Sequence, residues 1–186
     1  GQLGRPPEVG YERVRAAGLR TEELMDLPKP TVAAVNGPVA GFALGLALAC
    51  DVVLAAESAR FAVTFSRIGF VPDAGVSWLL PRLVGLHRAK ELFFAGEVVS
   101  AREAERIGLV NRVVADAALL DEARSLARTI AERPVAAIRM GKALLNRAAA
   151  ADLRTAVELE ASAQGILGTT KEHQDAVKAF AAKKKE

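Results

Sequence analysis

Very little in this sequence could staple, embed or metallate a protein. Cysteine, tryptophan and tyrosine occur once each and histidine twice in 186 residues. A lone cysteine, Cys50, excludes an intramolecular disulfide, so a packed core must supply the stability, and a reducing, cytoplasmic setting is the expectation. No Cys, His, Asp and Glu group has metal-site spacing, so no metal is expected. The longest apolar stretch, Phe42 to Cys50, is interrupted by Gly45 and closed by Asp51. It falls far short of the about 20 residues a membrane-spanning helix needs. No basic-then-apolar leader opens the chain, and no membrane contact is expected. Aromatics are only 5% of the residues, and the net charge of +3 is interspersed except at Lys183, Lys184 and Lys185. A nucleic-acid surface needs a basic stripe with stacking rings, so no nucleic acid is expected and the lysine run reads as a solvated tail.

What is present is the material of a globular domain: 51% hydrophobic and 25% charged residues. Residues 1–8 lack periodicity and read as a loop. Residues 9–27 read as a helix stopped by Pro28 and Pro30. Thr31 to Val35 is a short buried strand, Asn36-Gly37-Pro38 a turn, and Phe42 to Cys50 a buried helix rich in Ala and Leu. Strands follow at 52–56 and 60–63, then helices at 74–81 and 87–95, the second closed by Gly96. Ser100 with Glu103 forms a capping box for a helix ending at Gly108, and 110–114 is a last strand. Amphipathic helices fill 116–132, 135–149, 152–167 and 170–183. The expected fold is an α/β core over 1–115 with a helical C-terminal subdomain over 116–186.

Two places carry chemistry. The small-residue approach Ala40-Gly41 leads into the Phe42 to Cys50 helix, whose first N–H groups lack intrahelical partners and sit at the positive end of the helix dipole. Such a place can hold negative charge developing on a carbonyl oxygen, or Gly41 and Gly45 can simply permit close packing. The second place is Asp73 in Val71-Pro72-Asp73-Ala74-Gly75. Asp73 reads either as the N-cap of the next helix or as an acid/base. The two compete, because a carboxylate bound to N–H groups is a poor base. His87 and His173 have no sequence partner, Ser66 and Ser77 lack a nearby histidine, and Cys50 sits where a small hydrophobe is the default.

The run from Lys29-Pro30-Thr31 through Val35-Asn36-Gly37-Pro38 to Gly41-Phe42-Ala43-Leu44-Gly45 and Cys50-Asp51 resembles the signature of the enoyl-CoA hydratase/isomerase, or crotonase, family. Ser58-Ala59-Arg60-Phe61, Ile68-Gly69-Phe70-Val71-Pro72-Asp73-Ala74-Gly75 and Ser100-Ala101-Arg102-Glu103-Ala104 follow in that family's order, so the resemblance covers most of 29–114. It implies a crotonase-like spiral of ββα units. It also implies an acyl-CoA thioester as substrate, with no cofactor beyond that coenzyme A, and a homotrimer or hexamer. The N–H of Phe42 would be one oxyanion donor. The other would come from a segment that Gly1-Gln2-Leu3 enters, so the chain is expected to lack the family's N-terminal strands, with Gly1 as the second donor.

By the same resemblance, hydratases carry glutamates where this chain has Gly45 and Phe65, which argues against two-glutamate hydration. Asp73 lies where isomerases of the family carry an acid, and the stretch through Trp78-Leu79-Leu80-Pro81 resembles the ring-1,2-epoxyphenylacetyl-CoA isomerases. The resemblance thus implies an acyl-CoA isomerase of fatty acid or phenylacetate catabolism, with Asp73 as acid/base and Gly41, Ala43, Phe65 and Trp78 around the substrate. Hydration or thioester hydrolysis through Asp73, and a non-catalytic acyl-CoA-binding subunit, are the rival expectations. Lys142 and the terminal lysines are candidates for the coenzyme A phosphates.

Overall fold

The computed structural model describes residues 7–183. Most of the loop expected over 1–8 therefore lies outside the described residues. Helix α1 (Pro7–Met25) starts with a proline, whose missing N–H costs nothing in a first turn.

Two small sheets follow. In the first, β1 (Val32–Val35), β3 (Val52–Ala56) and β6 (Arg112–Val114) pair in parallel in the order β1-β3-β6. Polar clips just before the strands set the register. The Thr31 N–H and hydroxyl both donate to Asp51 Oδ2, at 2.7 and 2.9 Å, and the Asp51 N–H donates to Thr31 Oγ1 at 3.1 Å. That clip brings Val32 opposite Val52. Asn111 plays the same part for β6, accepting the Val53 N–H on Oδ1 at 2.7 Å and donating its own N–H to the Val53 carbonyl at 2.9 Å.

In the second sheet, β4 (Arg60–Ala62) lies between β2 (Pro38–Ala40), to which it is parallel, and β5 (Val98–Ser100), to which it is antiparallel. Phe61, fully buried at the centre, faces Val39 on one side and Val99 on the other. Neither β2 nor β5 is expected from the sequence: each has three residues, too few to show an alternating pattern, and each exists only through its partner.

Helix α2 (Gly41–Ala49) is apolar nearly all round and lies against α1, β2, β4 and α3 (Val76–Val84), with Leu44, Leu48 and Ala49 in the core. Helix α3 runs past Pro81, where the sequence reading stops it. The carbonyl that Pro81 leaves without a helical donor is that of Ser77, an exposed residue, and the Arg82 guanidinium turns back onto the next carbonyl, that of Trp78, at 3.0 Å. Helix α4 (Leu86–Ala95) ends on Gly96 in the left-handed conformation. Ser100 caps α5 (Ala101–Arg106) by accepting the Glu103 N–H. The Glu103 carboxylate turns to Arg106 and Arg88, so only one half of the capping box forms.

The chain divides into two compact units, one reaching Leu27 and resuming over Thr31–Ser125, the other made of Pro28–Pro30 and the chain from Leu126 on. The division falls within α6 (Leu119–Ala131) rather than before it. The second unit carries α7 (Val135–Ala148), α8 (Leu153–Leu167) and α9 (Lys171–Lys183), with α7 packed on α8. Among the described residues no helix is long and apolar enough to cross a membrane.

Asp152 caps α8, and the Thr155 N–H, then the Thr155 hydroxyl, hold its carboxyl below the ordinary aspartate value. Hydrogen bonds from Ser58 do the same for Asp116. Depressed folded-state values mean that this stability is complete above the ordinary aspartate range and is lost as pH falls through the lower folded values. An acid titration followed by circular dichroism therefore shows a steeper loss of stability below about pH 4 in the wild type than in Asp152→Asn.

Candidate active site

Strand β2 delivers the chain to α2 in extended form, with Ala40 at φ −151° and ψ 160°, and Gly41 then turns it into the helix at φ +54°. A Cβ at Gly41 would meet nothing within 4 Å, so the glycine serves the backbone angle and not the packing. Helix α2 has no side-chain cap. Its first N–H groups, Phe42 among them, have no intrahelical acceptor and lie at the positive end of the helix dipole. The Phe42 ring is 42% exposed, turned away from the core, and Ala43 is exposed beside it.

One turn further on, the opposite reason for a glycine applies. A Cβ at Gly45 would lie 2.3 Å from the Ala74 carbonyl oxygen and 2.8 Å from the Ala74 Cβ. No side chain fits there while the 73–75 loop keeps its place. That loop is strained: Ala74 is the one non-glycine with positive φ, at 49°, among the described residues, and Gly75 follows at 79°. An L-residue in this region costs about 1–2 kcal/mol and persists only where its surroundings impose it.

Asp73 stands at the start of this loop. It is not the N-cap of α3: that position belongs to Gly75, and no side chain caps the helix. Only the Asp73 backbone carbonyl takes part, accepting the Val76 N–H at 2.9 Å. The side chain is half-buried, and its Oδ1 is buried without any hydrogen-bond partner. Buried polar atoms are nearly always satisfied, so a carboxylate oxygen without a protein partner among the described residues marks a place where a water, an ion or a ligand can bind.

The other residues singled out from sequence separate. Phe65 is 6% exposed and belongs to the main core, while Trp78 is 39% exposed with the Arg82 guanidinium 3.8 Å above its ring. Ser66 donates to the Phe93 carbonyl at 2.7 Å, and Ser77, His87 and His173 are exposed. Lys142 is buried in the helical unit and donates to the Lys29 carbonyl at 3.2 Å, a structural bond that keeps its ammonium inward. Gly1, Gln2, Lys184 and Lys185 lie outside the described residues. Thr21, on α1, escapes the sequence reading. It is buried and donates its hydroxyl to the Ala74 carbonyl at 3.0 Å, across 53 residues that no local pattern spans.

A family model described as enoyl-CoA hydratase/isomerase matches residues 15–186. The 1,2-epoxyphenylacetyl-CoA isomerase of Escherichia coli K12 is 39% identical over 181 residues, 97% of this chain and 69% of its own length. The short-chain-enoyl-CoA hydratase of Clostridioides difficile is 40% identical over 155 residues, 82% of this chain and 97% of its own. The crystal structure of an enoyl-CoA hydratase from Bacillus anthracis superposes with a TM-score of 0.94 at 35% identity, covering 98% of this chain and 70% of that one. The chain belongs to the enoyl-CoA hydratase/isomerase family, which acts on acyl-CoA thioesters, and has the crotonase-like α/β fold.

The close approach at Gly45 predicts opposite outcomes for chemically identical changes. Gly18→Ala in α1, where a Cβ meets nothing within 4 Å, raises stability by about 0.5–1 kcal/mol through helix propensity. Gly45→Ala gains the same propensity but collides with a backbone carbonyl, and is destabilised by about 1–2 kcal/mol net. Urea unfolding of the two variants beside the wild type checks the sign.

Proposed function

We propose that the chain is an acyl-CoA isomerase that moves a carbon–carbon double bond, with Asp73 as its single acid/base. The observation that carries this reading is the buried, unpartnered Asp73 Oδ1 at a strained loop packed against α2. A carboxylate held by N–H groups would be a weak base, whereas an orphaned one is left to accept a proton from a ligand.

In a 3-enoyl-CoA, Asp73 removes a proton from C2, and the electron pair passes into the thioester to give a dienolate. The Phe42 N–H at the start of α2 donates to that oxygen, where the charge appears. Protonated Asp73 returns the proton to C4, the pair moves back, and the 2-enoyl-CoA is released with no net gain or loss of atoms. One carboxylate suffices, and no group beyond the substrate's coenzyme A is required. The second oxyanion donor assigned to Gly1 lies outside the described residues and remains part of the proposal. So do the cytoplasmic location and the trimer or pair of trimers that the family resemblance implies.

A second reading, hydration of a 2-enoyl-CoA, is favoured by the name of the Clostridioides difficile relative. Against it stands Gly45, at the position the resemblance gives to a hydratase glutamate, where no side chain fits.

Incubation with 3-enoyl-CoA is expected to yield conjugated 2-enoyl-CoA, followed by its ultraviolet absorbance. Asp73→Asn lowers kcat by a factor of about 100 to 10,000, the ordinary range for a lost general acid/base, while the melting temperature stays near the wild type. Unchanged turnover in Asp73→Asn, or a 3-hydroxyacyl-CoA as the main product, contradicts the assignment.

A further inference from the structure

Thr21 and Lys142 are the polar side chains that the core takes in among the described residues. Lys142 is accounted for by its bond in the helical unit. Thr21 is 3% exposed and has two acceptors within reach of one hydroxyl proton: the Ala74 carbonyl at 3.0 Å and the Ala17 carbonyl, one helical turn back, at 3.4 Å. The back-bond is the ordinary resting place of a helical threonine. Here the shorter contact is the long-range one, to the peptide that follows the acid/base.

Thr21 also meets this loop with its methyl group. A Cβ at Gly75 would lie 3.1 Å from Thr21 Cγ2. The 74–75 peptide thus has Thr21 on α1 against one part and Gly45 on α2 against another, and both of its residues are left-handed. A peptide between two left-handed residues would relax if released, and relaxation at Ala74 rotates the Cα of Asp73 with it.

Building on the isomerase reading above, we propose that Thr21 is a positioning residue, whose hydroxyl locks the Ala74 carbonyl and thereby aims the Asp73 carboxylate. Thr21 does not touch the reacting atoms. Its contribution is to geometry, and a displacement of about 1 Å at a catalytic group can cost about a hundredfold in rate.

Three variants test this in the full chain: Thr21→Val keeps the shape and loses the donor, Thr21→Ser keeps the donor and loses the methyl, and Thr21→Cys keeps a similar volume with a poor donor. With 3-enoyl-CoA, Thr21→Val lowers kcat about tenfold to a hundredfold with KM unchanged, and displaces the acid limb of the kcat–pH profile. Thr21→Ser restores turnover to within about threefold of wild type and Thr21→Cys is intermediate, the order expected from donor strength. If Thr21→Val does not fold by circular dichroism, a Thr21→Cys slower than Thr21→Ser supports the positioning role, and equal rates in the two overturn it. A Thr21→Ser as slow as Thr21→Val, or a fall in melting temperature with kcat and pH profile unmoved, overturns the positioning role and leaves packing. Wild type that isomerises, is silenced by Asp73→Asn and is untouched by Thr21→Val overturns the Thr21 proposal alone. Wild type that does not isomerise, or an Asp73→Asn that does so undiminished, removes the isomerase reading and this proposal together.

Discussion

The Ala74 carbonyl and the α-carbon of Gly45 lie closer than any side chain at 45 would permit, and the organisation of the site depends on that approach. Beyond its exposed first turn, helix α2 buries Leu44, Ala47, Leu48 and Ala49 in the core, so it forms a packed wall. A loop pressed against such a wall, with its 74–75 peptide tied to α1 by Thr21, has little freedom to choose its angles. The positive φ of Ala74 is the record of that constraint.

The same approach links packing to chemistry. By the family resemblance a hydratase would present a carboxylate at position 45, and in this chain that volume is filled by the backbone of Ala74. A glutamate at 45 and the present course of the 73–75 loop exclude each other sterically. In the proposed reaction acid/base capacity is concentrated in Asp73, whose Oδ1 has no protein partner among the described residues, near a helix whose N-terminal dipole favours negative charge. Burying a carboxylate oxygen unpaired costs stability, a cost that sites under functional demand are known to retain.

Much of the fold could be read from local signals because those signals are local in cause. The stops at Pro28 and Gly96, the Ser100 cap, the unbroken Ala and Leu of α2 and the four C-terminal helices depend on neighbours within a turn. The three-residue strands β2 and β5 could not be read, since their hydrogen bonds come from β4 and not from their own pattern. Pro81 reads as a stop, yet α3 continues, and the carbonyl that a proline at 81 leaves without a helical donor belongs to Ser77, an exposed residue. At the site, the family resemblance points to Asp73 and Phe42 by register. The structure removes the cap reading of Asp73, since Gly75 takes the cap position. Thr21 was invisible because nothing in an ordinary helical threonine announces a partner 53 residues away.

In the proposed reaction one carboxylate moves one proton between two carbons of the same substrate. That transfer is tested most directly with a 3-enoyl-CoA carrying deuterium at both C2 positions, turned over in ordinary water and analysed early by mass spectrometry and NMR. The expected product is 2-enoyl-CoA in which a measurable share of molecules carries deuterium at C4, because the acid formed by removing the label is the acid that returns it. A 3-hydroxyacyl-CoA product, with no deuterium at C4, would contradict it.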